Sequence, residues 1–236
     1  MQIQNPSAST LCNELELIGQ RLPLTNATVL ELGCGKAQMT LRIAERFPIA
    51  RIIATEVDQI QHALNLVSEH PASIEFRTGG AEAIDMPDNS IDVVFMFKSL
   101  HHVPRERMGA ALQEIARVLK PGGMAWISEP VYAGDFNDIL RLFNDEKTVR
   151  ELAFNAIREA VDAGVLESVE QIFCNTESHF TDFAEFEQRI LKVTHTHHQL
   201  DEALYQTVKT RFNAHLSPEG VRFENPARFD ILRKPA

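Results

Sequence analysis

Five short β-branched runs, four of them followed by a helical stretch or a loop, constrain this chain more than any other feature. Between Thr28 and Pro130 the sequence runs VLEL, then helical MTLRIAERF; RIIATEV, then helical QIQHALNLVSEH; IEFRTG, then a loop; IDVVFMF, then helical RERMGAALQEIARVLK; and last MAWIS. Apolar strands joined by crossover helices predict a parallel sheet covered on both faces, and right-handed crossovers make it doubly wound. Local chemistry marks the boundaries. Pro121 stops the helix near Lys120, Gly122 and Gly123 allow the reversal into MAWIS, and Asp88, Asn89 and Ser90 form a turn before IDVVFMF.

The flanks read differently. Leu11, Leu15, Ile18 and Leu22 recur at helical spacing, so a helix is expected from Ser9 to Leu22, ended by Pro23. After residue 130, Asp135 to Ala163 is helical, VEQIFCNTESHF is a strand, Asp182 to Phe212 gives two more helices and ARFDILRK a last strand. No Gly/Ser linker or internal repeat divides the chain. The expectation is one α/β domain of 236 residues: an N-terminal lid over 1–27, a ligand-binding core over 28–130, and a helical elaboration with closing strands over 131–236 on the substrate side.

Composition narrows the partners. A net charge of -10 with no run of Lys or Arg argues against nucleic acid or an anionic membrane surface. There is no basic flank followed by an apolar core at the N-terminus and no run of eighteen apolar residues, so a cytoplasmic location is expected. Cys12, Cys34 and Cys174 are too few and too scattered for a disulfide framework and are read as reduced thiols.

The stretch VLELGCGKAQMT, residues 29–40, is the first strand-to-helix turn, the usual contact point for a ligand in an open α/β sheet. Gly33 and Gly35 let the backbone approach a ligand closely. A dinucleotide fingerprint needs a third glycine where Gln38 stands. Glu31, two residues before the first glycine, would repel a pyrophosphate. At the end of the second strand Glu56 is placed to accept hydrogen bonds from ribose hydroxyls. A nucleoside without phosphates and with a cationic tail satisfies both acids.

These residues resemble the class I S-adenosylmethionine-dependent methyltransferases, in particular their small-molecule, type 11-like branch. The family's glycine motif reads here as Glu31, Gly33, Cys34, Gly35 and Ala37, with alanine in place of the third glycine, a mild departure. The resemblance covers about 28–130 and implies a Rossmann-like, seven-stranded, mostly parallel sheet with helices on both faces and an antiparallel last strand. It also implies S-adenosylmethionine as cofactor, held by the glycine motif, by Glu56 and Val57, by Gly80, Ala81 and Glu82 after the third strand, and by Phe97 and Lys98 after the fourth. Gly80 stands where relatives carry an aspartate that contacts adenine. RVLKPGGMAWISEP resembles the fifth strand and its lead-in.

Methyl transfer from a sulfonium brings its own leaving group, so the protein's main task is alignment, and a general base is optional. His101 and His102, in KSLHHVP after the fourth strand, are the candidate catalytic residues; as neighbours they are expected to point in different directions. Relatives often have a histidine at this corner, which favours His102; the alternative is a histidine that only shapes the pocket. Glu129 and Tyr132 are expected at the rim, orienting substrate or capping the following helix. THTHH at 194–198 places His195 and His198 three apart, but no Cys or carboxylate motif accompanies them and no metal is expected. Trp126 is expected in the core. The expected partner is a small-molecule methyl acceptor. A nicotinamide-dependent oxidoreductase is the alternative enzyme, disfavoured by Gln38, by Glu31 and by the expected absence of a recognisable Tyr-x-x-x-Lys pair, and a cofactor-binding module without catalysis is the alternative of another class.

Overall fold

The computed structural model describes residues 1–8, 10–193 and 200–236. Seven strands form a single sheet: β1 (Thr28–Leu32), β2 (Arg51–Glu56), β3 (Ile74–Thr78), β4 (Ile91–Phe97), β5 (Leu119–Pro130), β6 (Glu167–Phe180) and β7 (Val221–Arg233). Their order is β3-β2-β1-β4-β5-β7-β6. The first five are parallel, and β7 runs antiparallel to both β5 and β6. Strand order reverses between β1 and β4, and a crevice at such a reversal is where ligands bind in open sheets.

Period-two alternation sorts the strands' side chains between two cores. Val29, Ile52, Val93, Phe95, Trp126 and Phe229 pack on one face with Ile18 of α1 (Glu14–Arg21) and Ile43 of α2 (Gln38–Arg46). Leu30, Ile53, Val94 and Met96 pack on the other with Leu112 and Ile115 of α4 (Met108–Val118) and Ile157 of α6 (Lys147–Asp162). α3 (Gln59–Val67) links β2 to β3. Trp126 is fully buried, as its strand position predicts, and its Nε1 donates to Glu14 at 2.9 Å. A third cluster, built from Phe180, Phe183, Phe186, Phe212 and Phe223, joins β6 and β7 to α5 (Asp135–Leu140), α7 (Phe183–Phe186) and α8 (Glu202–Asn213).

Three sequence expectations are corrected here. The first helix starts at Glu14, not at residue 9, because the Asn13 side chain caps it by accepting from the amides of Leu15 and Glu16. Upstream, Leu11 pairs with Asn175 as a bridge beside β6. Cys12 and Cys174 are disulfide-bonded across a separation of 162 residues, and only Cys34 is a free thiol. That bond fixes the chain just before α1 to β6, and it removes reduced thiols as a support for a cytoplasmic location. The PGG reversal also lies inside β5: its register against β4 jumps from Ile91–Leu119 to Val93–Met124, so Lys120 to Gly123 form an excursion in the strand. Among the described residues, no helix is long and apolar enough to cross a membrane.

Candidate functional site

The loop after β1 is held from three sides. The amides of Gly33 and Cys34 donate to the Thr55 carbonyl at 3.0 and 2.9 Å, and Ser99 Oγ donates to the Leu32 carbonyl at 2.7 Å. Asn65 Nδ2 donates to the Gly35 carbonyl at 2.7 Å and is itself fixed by Gln61. Sequence reasoning missed this brace, although Gln61 and Asn65 are four apart on α3 and so share a helix face.

The two glycines serve different ends. Gly33 has φ of +73°, and a Cβ there would lie 2.9 Å from Ser99 Cβ, so this glycine is required by packing. Gly35 has φ of +51°, and no heavy atom lies within 4 Å of a Cβ built on it, so it faces open space. Ala37 also sits in the left-handed region, at φ of 55°. The departure from the family's third glycine is therefore not neutral: a left-handed alanine costs about 1–2 kcal/mol of backbone energy, offset in part by burial of its methyl group.

Glu56 closes the loop from β2. Its carboxylate accepts from the amides of Gly35, Val57 and Asp58 at 2.7, 2.8 and 2.9 Å. Val57 beside it is 64% exposed. Glu31 points to the α2 side of the sheet, where Thr40 Oγ1 donates to it at 2.6 Å. Burial pushes its pKa up to about 8, the Thr40 hydrogen bond opposes this, and the nearby Glu14 and Glu56 carboxylates push the same way as burial. At neutral pH Glu31 is thus mostly protonated. Glu14, the first residue of α1, is raised chiefly by burial as well, against the lowering influence of Trp126 and Lys98. Lys98 is exposed at φ of +54°, with its amide donating to the Ser128 carbonyl. Phe97 lies partly buried against Phe95.

After β3, the carboxylate of Glu82 occupies the place where a Cβ at position 80 would stand. Gly80 therefore does more than delete an acid, since the acid two residues later takes up that space. Ala81 is buried in the core beneath it.

The histidine corner overturns two expectations. His101 and His102 do not diverge: the 3-10 turn Leu100–His102 sets their rings 4.1 Å apart. His101 is buried and His102 exposed. Glu129 is not at the rim but 2% exposed, accepting from the amides of Leu100 and His101 and from His101 Nδ1. It thus caps the 3-10 turn that precedes it in sequence rather than a helix that follows. Burial alone would lower the His101 pKa, but Glu129 and then Glu146 outweigh it and raise it. Burial would likewise raise Glu129, and His101 with Arg228 holds it below the usual carboxylate range. Glu146, just before α6, extends the chain by accepting from Arg150 Nη2 at 2.7 Å. Tyr132 is partly buried; the Lys147 amide, and then the Tyr132 hydroxyl, hold the Asp145 carboxyl below its usual range.

Two further sequence features fall elsewhere. THTHH lies outside the described residues. The expected absence of a Tyr-x-x-x-Lys pair is corrected: Tyr205 and Lys209 have that spacing, but they lie on α8, where Tyr205 donates to Glu187 and Lys209 lies over Phe183 in the aromatic cluster.

Comparison with known proteins places this geometry. A methyltransferase-domain family model matches residues 29–123. An uncharacterized methyltransferase of Mycobacterium tuberculosis is 35% identical over 108 residues, which is 46% of this chain and 42% of that protein. The match therefore spans less than half the length of the curated relative. Among solved structures, the YcgJ protein from Bacillus subtilis is similar with a TM-score of 0.64 at 18% identity, covering 94% of this chain and 98% of that one. The [4+2]-cyclase SpnF is similar with a TM-score of 0.62 at 19% identity, covering 94% and 80%. Both likenesses concern the fold alone, and chemistry is argued from the site.

Proposed function

We propose that the chain, whose 29–123 segment matches a methyltransferase-domain family model, is a class I S-adenosylmethionine-dependent methyltransferase that transfers a methyl group from S-adenosylmethionine to a small-molecule acceptor. One observation carries the reading: open space at Gly35, the Glu56 carboxylate on its amide and the neutral Glu31 meet at the reversal point of the sheet. A nucleoside with a cationic tail fits this set, because a cation nearby recovers the ionised form of Glu31, which a pyrophosphate would not do.

In this reading Glu56 exchanges one of its amide partners for ribose hydroxyls, Val57 lies under the adenine, and Ala81 and Glu82 line its edge. Glu31 and Glu14 face the cationic tail, and a cation nearby favours their ionised forms. The cofactor supplies a methyl carbon that already carries its leaving group. The chain's own contribution is alignment, worth roughly 7–11 kcal/mol in favourable cases. His101 is held in place by Glu129, so the 3-10 turn is a rigid wall on the acceptor side. The net charge of -10, with no run of Lys or Arg, disfavours a nucleic-acid acceptor and so supports the small-molecule class.

The test is transfer of radiolabelled methyl from S-adenosylmethionine to a pooled metabolite extract. Label should appear in a small-molecule fraction. Label found only in macromolecules would remove the acceptor class, and none in any fraction would remove methyl transfer.

A further inference from the structure

Two imidazoles and a carboxylate converge where the loop after β4 meets the start of α6. The coordinating atoms of His101, His102 and Glu146 all lie within 4.8 Å of one another. His101 Nε2 and Glu146 Oε2 are 3.7 Å apart, too long for a hydrogen bond. Ligands placed tetrahedrally around one ion at zinc-like distances are separated by about 3.4 Å, so the His101–Glu146 pair needs a small contraction and no pair needs to close by more than about 1.4 Å.

The donors are also oriented as metal ligands are. His101 Nδ1 is engaged by the buried Glu129, which leaves Nε2 directed toward Glu146. A carboxylate on the far nitrogen of a histidine is the usual outer partner of a metal ligand, because it fixes tautomer and ring orientation. Glu146 is steadied on both oxygens, by Arg150 Nη2 at 2.7 Å and by Asn144 Nδ2 at 2.9 Å. A carboxylate offers about four lone-pair directions, so neither contact prevents coordination. His102 is the exposed member and brings the set to the surface of the crevice.

We propose that His101, His102 and Glu146 bind one divalent transition-metal ion of the zinc class, with its fourth position open to the acceptor side of the crevice. Two imidazoles with one carboxylate suit zinc, cobalt or iron(II) and are a poor set for magnesium or calcium, which prefer oxygen ligands throughout. The Arg150 guanidinium opposes a cation, so affinity falls below that of closed structural zinc sites. The binding site stands on its own geometry. Its use, taking an oxygen or nitrogen of the acceptor as fourth ligand, rests on the methyltransferase reading.

The experiment is a titration of the tag-free, metal-stripped protein with Co²⁺, followed by visible absorption, with Zn²⁺ added back to displace it. Because His195, His197 and His198 are three further imidazoles that can take up cobalt nonspecifically, a triple alanine variant at those positions is titrated alongside. One equivalent of Co²⁺ is expected in the wild type and in the triple variant. His102→Ala, an exposed change that leaves the core intact, and Glu146→Gln should each weaken binding by at least about tenfold. No saturable cobalt signal, a signal unchanged in both single variants, or one lost in the triple variant would overturn the proposal. Binding of metal without methyl transfer to any acceptor would overturn the functional reading and leave the site standing.

Discussion

At the β1–β2 edge of the crevice the ligand-facing groups are mostly backbone: the open turn at Gly35, the amides around it, and one acid that burial keeps protonated. At the β4–β5 edge they are ionisable side chains held by one another: His101 on Glu129, and Glu146 on Arg150. In the proposed reading the first edge takes the cofactor, and the second, assembled from residues far apart in sequence, faces the acceptor. The aromatic cluster of α5, α7 and α8 is a third support.

If the two edges are as separate as this, changes at one should leave the other untouched. The largest effect is expected from Phe186→Ala in the aromatic cluster. Phe186 is fully buried, with the Phe212 ring at 4.9 Å, and its truncation should cost about 3–5 kcal/mol in urea unfolding. Affinity for S-adenosylhomocysteine, measured under native conditions, should be unchanged; a parallel loss would mean that the cluster supports the cofactor edge as well.

Reducing the Cys12–Cys174 bond should come next, at about 2–4 kcal/mol, read as a fall in melting temperature with reductant that a Cys12→Ser control does not show. Because the bond anchors α1, and α1 carries Glu14, reduction is expected to weaken cofactor binding modestly. No change in binding would place α1 outside the cofactor site.

Glu31 gives the third effect. Its folded pKa of about 8 lies above the ordinary 4.5, so the folded state binds the extra proton. The stability this contributes is complete below pH 4.5 and is lost as pH rises through 8. Between pH 5 and 7 the loss amounts to roughly 2–3 kcal/mol. Glu31→Gln should flatten that slope in pH-dependent denaturation while weakening binding of S-adenosylmethionine; an unchanged slope would show that Glu31 is ionised in the free protein. The smallest change in stability, about 1 kcal/mol, is expected for Gly35→Ala, since only its backbone angle objects. That variant should fold and fail to bind. Gly33→Ala, which meets Ser99, should be the less stable of the two.

How far each edge was legible follows from the range of its contacts. The turn after β1 and the parallel strands of the core depend on neighbours in sequence and on short apolar runs, so they were readable. The antiparallel β7 came with the family resemblance rather than with any pattern in ARFDILRK. The Cys12–Cys174 bond was not readable, because a spacing of 162 says nothing about proximity. The histidines were misjudged because neighbours diverge in a strand, whereas the chain has already left β4 and turned at Leu100. The Glu146–Arg150 pair, four apart at a helix start, was visible in the sequence, but its meeting with His101 required the packing of α6 on the turn. Ala37 was read by size alone, and its left-handed backbone is what matters.

The central claim is that the loop at Gly35, closed by Glu56, holds S-adenosylmethionine. Calorimetric titration of the wild type and Glu56→Ala with S-adenosylmethionine and S-adenosylhomocysteine tests it most directly. The account predicts one saturable site in the wild type and more than tenfold weaker binding in the variant. No binding of either compound at millimolar concentration, or equal affinity in the two proteins, would contradict it.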